Sequence, residues 1–129
     1  MTDLGEVEMD ALVMDGRTLD CGAVAAVNNV KNPIELARIV MEETPHTLIV
    51  GAGANLLADE FKVERVDKEY LVTEDGRREW ETYKQYNKTV SSLFSQREQH
   101  GHDTVGAVAL DKAGNLACAT STGWNSLIV

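Results

Sequence analysis

The sequence is short of cysteine, of positive charge and of long apolar runs. Its two cysteines, Cys21 and Cys118, lie far apart, each inside an apolar stretch. One disulfide is the most they can form; two reduced, buried thiols of a cytosolic protein are the expectation. Lysine and arginine number 12 against 21 aspartates and glutamates, for a net charge of −9 and a pI near 4.7. Such a surface repels phosphates, which argues against nucleic acid and anionic membranes as partners. No apolar run approaches the ~20 residues of a membrane span. Met1-Thr2-Asp3-Leu4-Gly5-Glu6 has neither the basic n-region nor the apolar h-region of a signal peptide. A cytoplasmic location is therefore expected. The chain has no internal repeat.

What is present is an ordinary globular composition. The 129 residues, 43% hydrophobic and 26% charged, suffice for one domain and little more. Residues 1–15 alternate, with Val7, Met9, Ala11 and Val13 on one side and Glu6, Glu8, Asp10 and Leu12 on the other, as a strand does. Asp15-Gly16 signals a turn. The small apolar residues of 21–30 suit a second strand packed closely under other elements, joined to the first as a hairpin. Asn32-Pro33 starts a helix, Asn as N-cap and Pro at the first helical position. Ile34, Ala37, Ile39, Val40 and Met41 supply its apolar face, and Pro45 ends it. Thr47 to Val50 reads as a short buried strand. Gly51-Ala52-Gly53-Ala54 then turns tightly into a helix from Asn55 to Phe61.

Residues 62–101 form a charged linker. A helix is possible from Arg77 to about Gln99, with Trp80, Tyr83, Tyr86, Val90 and Leu93 at helical spacing. Residues 102–123 read as two strands around a tight turn, and 124–129 as a divergent tail. Strands at both ends with helices between argue for an α+β layered fold on an antiparallel sheet.

The last hairpin carries the chemistry. Thr104 opens its first strand and Thr120-Ser121-Thr122 closes its second, so two hydroxyl clusters meet at one end of a sheet. Gly106, Ala107 and Ala109 keep the first strand small, and glycine inside a strand often marks a close approach. His102-Asp103-Thr104-Val105-Gly106-Ala107-Val108-Ala109-Leu110-Asp111 through Ala119-Thr120-Ser121-Thr122-Gly123 resembles the nucleophile hairpin of the plant-type asparaginase, or isoaspartyl peptidase, family. Gly5-Glu6-Val7-Glu8-Met9-Asp10-Ala11, Met14-Asp15-Gly16, Gly22-Ala23-Val24-Ala25-Ala26-Val27 and Asn32-Pro33-Ile34-Glu35-Leu36-Ala37-Arg38 resemble the same family in the same order.

These are threonine N-terminal-nucleophile (Ntn) hydrolases, related to glycosylasparaginase. The resemblance implies a four-layer αββα Ntn-hydrolase sandwich, here only partial. It implies autocleavage at Asp103-Thr104, with Thr104 as nucleophile and Thr122 as a supporting hydroxyl. It implies hydrolysis of the L-asparagine side-chain amide or of β-aspartyl peptides, without a cofactor, and self-association of cleaved subunits. Asp103, where many members have glycine, resembles glycosylasparaginase and leaves that amidase open as an alternative. The family's grip on the substrate's α-carboxylate and α-amine is expected after Gly123, where this chain reads Trp124-Asn125-Ser126-Leu127-Ile128-Val129. An incomplete form is therefore expected, and with it the alternative of an inactive chain that pairs with, or competes for, a full-length enzyme.

Other motifs carry less. His100-Gly101-His102 lacks a third ligand at useful spacing, so no metal is expected. Glu6, Glu8 and Asp10 read as a solvated or salt-bridged face. Gly51 to Ala54 lacks the spacing of a phosphate-binding loop. The Asn87-Lys88-Thr89 sequon carries little weight without a signal peptide.

Overall fold

A computed structural model describes residues 1–2, 4–86 and 104–123. The elements run β1 (Met9–Asp15), β2 (Cys21–Val27), α1 (Pro33–Glu43), β3 (Leu48–Val50), α2 (Gly51–Glu60), α3 (Lys68–Leu71), α4 (Glu74–Tyr86), β4 (Thr104–Leu110) and β5 (Leu116–Gly123). The five strands make one sheet in the order β3-β2-β1-β5-β4. Most pairs are antiparallel, as expected, but β3 runs parallel to β2. The sheet is thus mixed. The cause is α1, which forms the crossover that parallel neighbours require.

The core lies on one face. Alternation sends Met9 and Ala11 of β1 and Val24 of β2 to the side covered by helices, and a one-residue slip in the β1–β2 register returns Val27 to it. There they meet Leu36, Ala37 and Val40 of α1 and Ala54 and Ala58 of α2, all fully buried. Gly22 explains why β2 is rich in small residues. A Cβ at Gly22 would stand 2.2 Å from the Ala37 carbonyl oxygen and 2.4 Å from the Met41 nitrogen, so α1 rests directly on the β2 backbone.

Several local expectations are revised. β1 begins at Met9, so Glu6 and Glu8 precede the strand and only Asp10 belongs to it. Asn32 occupies the N-cap of α1, yet its side chain caps no backbone N–H; its Nδ2 donates to Glu35 Oε1 instead (3.1 Å). The Gly51 to Ala54 segment is the first turn of α2 rather than a turn before it. Gly51, at φ +53°, supplies the left-handed start that a larger residue resists.

The first part of the charged segment is built into the fold. Val30 bridges to Arg65, Lys31 N–H donates to the Glu64 carbonyl (3.0 Å) and Val66 N–H to that of Asn29 (3.0 Å). All five guanidinium hydrogens of Arg65 are used. Nε and Nη2 donate to Asp59 Oδ1 (2.9 and 2.7 Å), Nη2 to the Asn55 carbonyl (2.7 Å), and Nη1 to Asn55 Oδ1 and the Asn28 carbonyl (2.8 and 2.9 Å). A fork of fixed geometry suits such a clasp better than lysine's point charge. The helix expected from Arg77 starts earlier, at Glu74; its expected extension beyond Tyr86 lies outside the described residues. Within it, Trp80 lies against Gly5, whose added Cβ would stand 3.1 Å from the indole.

Candidate functional site

The two hydroxyl clusters do meet. Both β4 and β5 belong to a hairpin whose tip is tied by Asp111. Its carboxylate accepts the Ala113 and Asn115 N–H groups (2.8 and 2.9 Å) and the Asn115 side-chain amide (2.7 Å). These bonds, led by that side-chain amide, hold the Asp111 carboxyl below the usual aspartate range. A tip tied this way fixes the register, and register decides which side chains face each other.

That register pairs Thr104 with Thr122, Gly106 with Thr120, Val108 with Cys118 and Leu110 with Leu116. Thr104 Oγ1 donates to Thr122 Oγ1 at 3.0 Å. Thr104 is exposed and Thr122 half-buried. Gly106, next along the same face, leaves the surface beside Thr104 low; its missing Cβ would find nothing closer than 3.7 Å.

The row extends one strand further. β1 pairs with β5 so that Asp10 faces Thr122, Leu12 faces Thr120 and Met14 faces Cys118. Directly paired residues share a face, and this face is the one the helices leave open. Asp10, Thr122 and Thr104 therefore stand side by side across β1, β5 and β4. Asp10 is half-buried, and its Oδ1 accepts the N–H of Ala26 (2.9 Å). Ala26 sits at φ +52°, where the β1–β2 register slips by one residue. The expectation of a solvated or salt-bridged acidic face thus gives way to a single acid bonded to backbone at a β-bulge. In the sequence Asp10 continues the alternation of Glu6 and Glu8, and only the start of β1 at Met9 sets it apart from them.

The other candidates separate from this row. Cys21 and Cys118 are free and half-buried, each paired with Met14 from opposite sides. Two strand spacings put their Cα atoms roughly 10 Å apart, beyond disulfide reach. Asp103, His100-Gly101-His102 and Asn87-Lys88-Thr89 lie outside the described residues. The described residues hold no group of three or more His, Cys, Asp or Glu arranged for a metal, and no helix among them is long and apolar enough to cross a membrane. A hollow beside α2, lined by Asn28, Asn29, Asn55, Asp59 and Arg65, offers a ligand no free cation, since Arg65 has spent every donor.

Comparison with known proteins bears on the whole chain. A family model described as Asparaginase matches residues 1–127. The isoaspartyl peptidase/L-asparaginase of Xenopus laevis is 48% identical over 124 residues, which cover 95% of this chain and 38% of that protein. The Homo sapiens protein of the same name is 48% identical over 119 residues, 92% of this chain and 37% of its own length. The isoaspartyl peptidase of Escherichia coli (strain K12) is 43% identical over 120 residues, again 37% of its length. This chain spans little more than a third of these relatives. With nearly every residue matched, the chain belongs to the Asparaginase_2 family.

Proposed function

We propose that the protein is a threonine Ntn hydrolase that releases the side-chain amide of L-asparagine or cleaves β-aspartyl peptides, within an αββα sandwich to which this chain contributes one sheet and its helices. The Thr104–Thr122 hydroxyl pair at 3.0 Å carries this reading. A threonine hydroxyl is a weak nucleophile until a base takes its proton. Cutting the peptide bond before Thr104 frees an α-amine, with an ordinary pKa of about 7.7–8.0. Near neutral pH a useful fraction of that amine is unprotonated and can serve as base to the hydroxyl of its own residue. Thr122, accepting a hydrogen bond from Thr104, orients the oxygen that attacks. Attack on the amide carbonyl gives an acyl-enzyme and releases ammonia or an amino acid; water then frees aspartate. The names of the relatives support both substrates.

The test begins with intact mass. The purified 14.1 kDa chain should yield a fragment starting at Thr104, and Thr104→Ala should remain whole. Aspartate release from L-asparagine and from a β-aspartyl dipeptide, lost in Thr104→Ala, then measures the hydrolase in the longest natural form of the protein. A chain that never cuts itself overturns the self-cleaving reading and favours a non-catalytic chain that pairs with a longer relative. Preference for a glycosylated asparagine would move the protein to the glycosylasparaginase branch.

A further inference from the structure

The α-amine cannot help make the cut that creates it. Before cleavage the nitrogen of Thr104 is an amide, with no basicity to offer, so the hydroxyl proton needs another acceptor. Strands β1, β2, β4 and β5 present Asp10, Thr104, Thr120 and Thr122 to the open face in register, among small, apolar and thiol side chains. Asp10 is the one acid or base of permanent charge among them, and no cation pairs with it among the described residues. A lone carboxylate among small and apolar neighbours has a cost that hydration and pairing usually offset. Breaks of pattern of this kind concentrate at functional positions.

Its placement is also held at the expense of backbone strain. Ala26, whose N–H fixes Asp10 Oδ1, is a non-glycine residue at φ +52°. Such outliers are strained and persist where the surroundings over-determine them. Asp10 Oδ2 has no hydrogen-bond partner among the described residues. One strand away in register stands Thr122, whose oxygen accepts the hydrogen bond of the Thr104 hydroxyl.

We infer that Asp10 is a positioning residue that acts through Thr122 as the terminal proton acceptor for the Thr104 hydroxyl in the self-cleavage step. The inference rests on the self-cleaving reading above. As Thr104 Oγ1 attacks the carbonyl carbon before it, its proton passes to Thr122 Oγ1, and the Thr122 proton passes to the Asp10 carboxylate. The carbon–nitrogen bond breaks, and the proton returns along the row to the departing nitrogen. An amide has become an ester, with a free amine on Thr104; water hydrolyses the ester.

Asparagine at position 10 separates this role from a structural one. Asp10→Asn keeps an oxygen for the Ala26 N–H but accepts no proton at neutral pH. The expected result is cleavage slowed by roughly 10²–10⁴-fold, the usual share of a positioned base, with the melting midpoint held. Asp10→Ala should be as slow, and formate added to it should restore cleavage in proportion to its concentration. Asp10→Asn cleaving at the parent rate overturns the inference and leaves self-cleavage intact. So does an Asp10→Ala chain that still melts cooperatively and ignores formate. A parent chain that stays whole, by contrast, removes self-cleavage itself and this inference with it.

Discussion

Under α1 and α2, the strands β1 and β2 bury Met9, Ala11, Val24 and Val27 to 5% exposure or less. Across the same sheet, Val105, Val108, Leu110 and Leu116 of β4 and β5 stand 52–79% exposed. The side chains are similar in kind; what differs is the layer above them. The first half holds the core and its helices. The second is held by ladder hydrogen bonds, by its pairing with β1 and by the Asp111 turn, and it carries the hydroxyl pair. The hydroxyl pair thus stands on the half of the sheet that carries little of the core, and Asp10 reaches the same row from the open face of β1. Residues that are free of core packing can be chosen for reactivity, while the core fixes where they stand.

The largest test of this contrast is paired truncation. Leu36 is fully buried in α1, so Leu36→Ala should cost about 2–5 kcal/mol from lost transfer energy and the cavity left behind. Leu116→Ala, at a position 52% exposed, should cost under about 1 kcal/mol. Urea midpoints followed by circular dichroism measure both. Equal losses would mean that the hairpin is as much core as the helices are.

A pair of glycines sharpens the contrast, because the sign should change. Gly22→Ala drives a methyl into the α1 backbone at 2.2 Å and should cost about 1–3 kcal/mol as overpacking. Gly106→Ala meets nothing closer than 3.7 Å and has no left-handed φ to maintain. It should be neutral or stabilise by up to about 1 kcal/mol, through a less flexible unfolded chain. Destabilisation by Gly106→Ala as large as that by Gly22→Ala would remove the distinction between a covered and an open strand.

The same division governs how much was legible in the sequence. Period-2 alternation around Asp15-Gly16 and the small apolar run of 21–30 announced β1 and β2, because each strand answers to one buried face. Hairpin geometry alone brought Thr104 to the Thr120-Ser121-Thr122 cluster; the resemblance singled out Thr122, and the register pairs the two. The parallel pairing of β3 was not legible, since three residues carry no signal of strand direction. Nor was the Arg65 clasp: charge in a polar stretch reads as solvated until the fold brings Asp59, Asn55 and the Asn28 carbonyl around it. Asp10 was misplaced with Glu6 and Glu8, because alternation does not reveal where a strand begins. Its bulge at Ala26 has no local sequence signature, since alanine rarely adopts a positive φ.

The smallest expected effect is confined to the hairpin tip. Asp111 is bonded most strongly by the Asn115 side-chain amide, then by backbone N–H groups, and its folded carboxyl titrates below the ordinary aspartate value. A depressed folded pKa contributes stability that is fully present above the unfolded value of about 3.9. That contribution fades as pH falls through the folded value. Between pH 5 and pH 2, the amides of Ala113 and Asn115 should therefore lose protection at a lower pH than an ordinary aspartate would dictate, when followed by NMR. Asp111→Ala should lack that step at every pH. The exposed position keeps the effect on global stability small, because solvent screens it. The step should also be absent from the amides of Val24 and Val27, which answer to the core. If those amides shift together with Asn115, the hairpin and the helical half unfold as one unit, and the separation of the hydroxyl pair from the core does not hold.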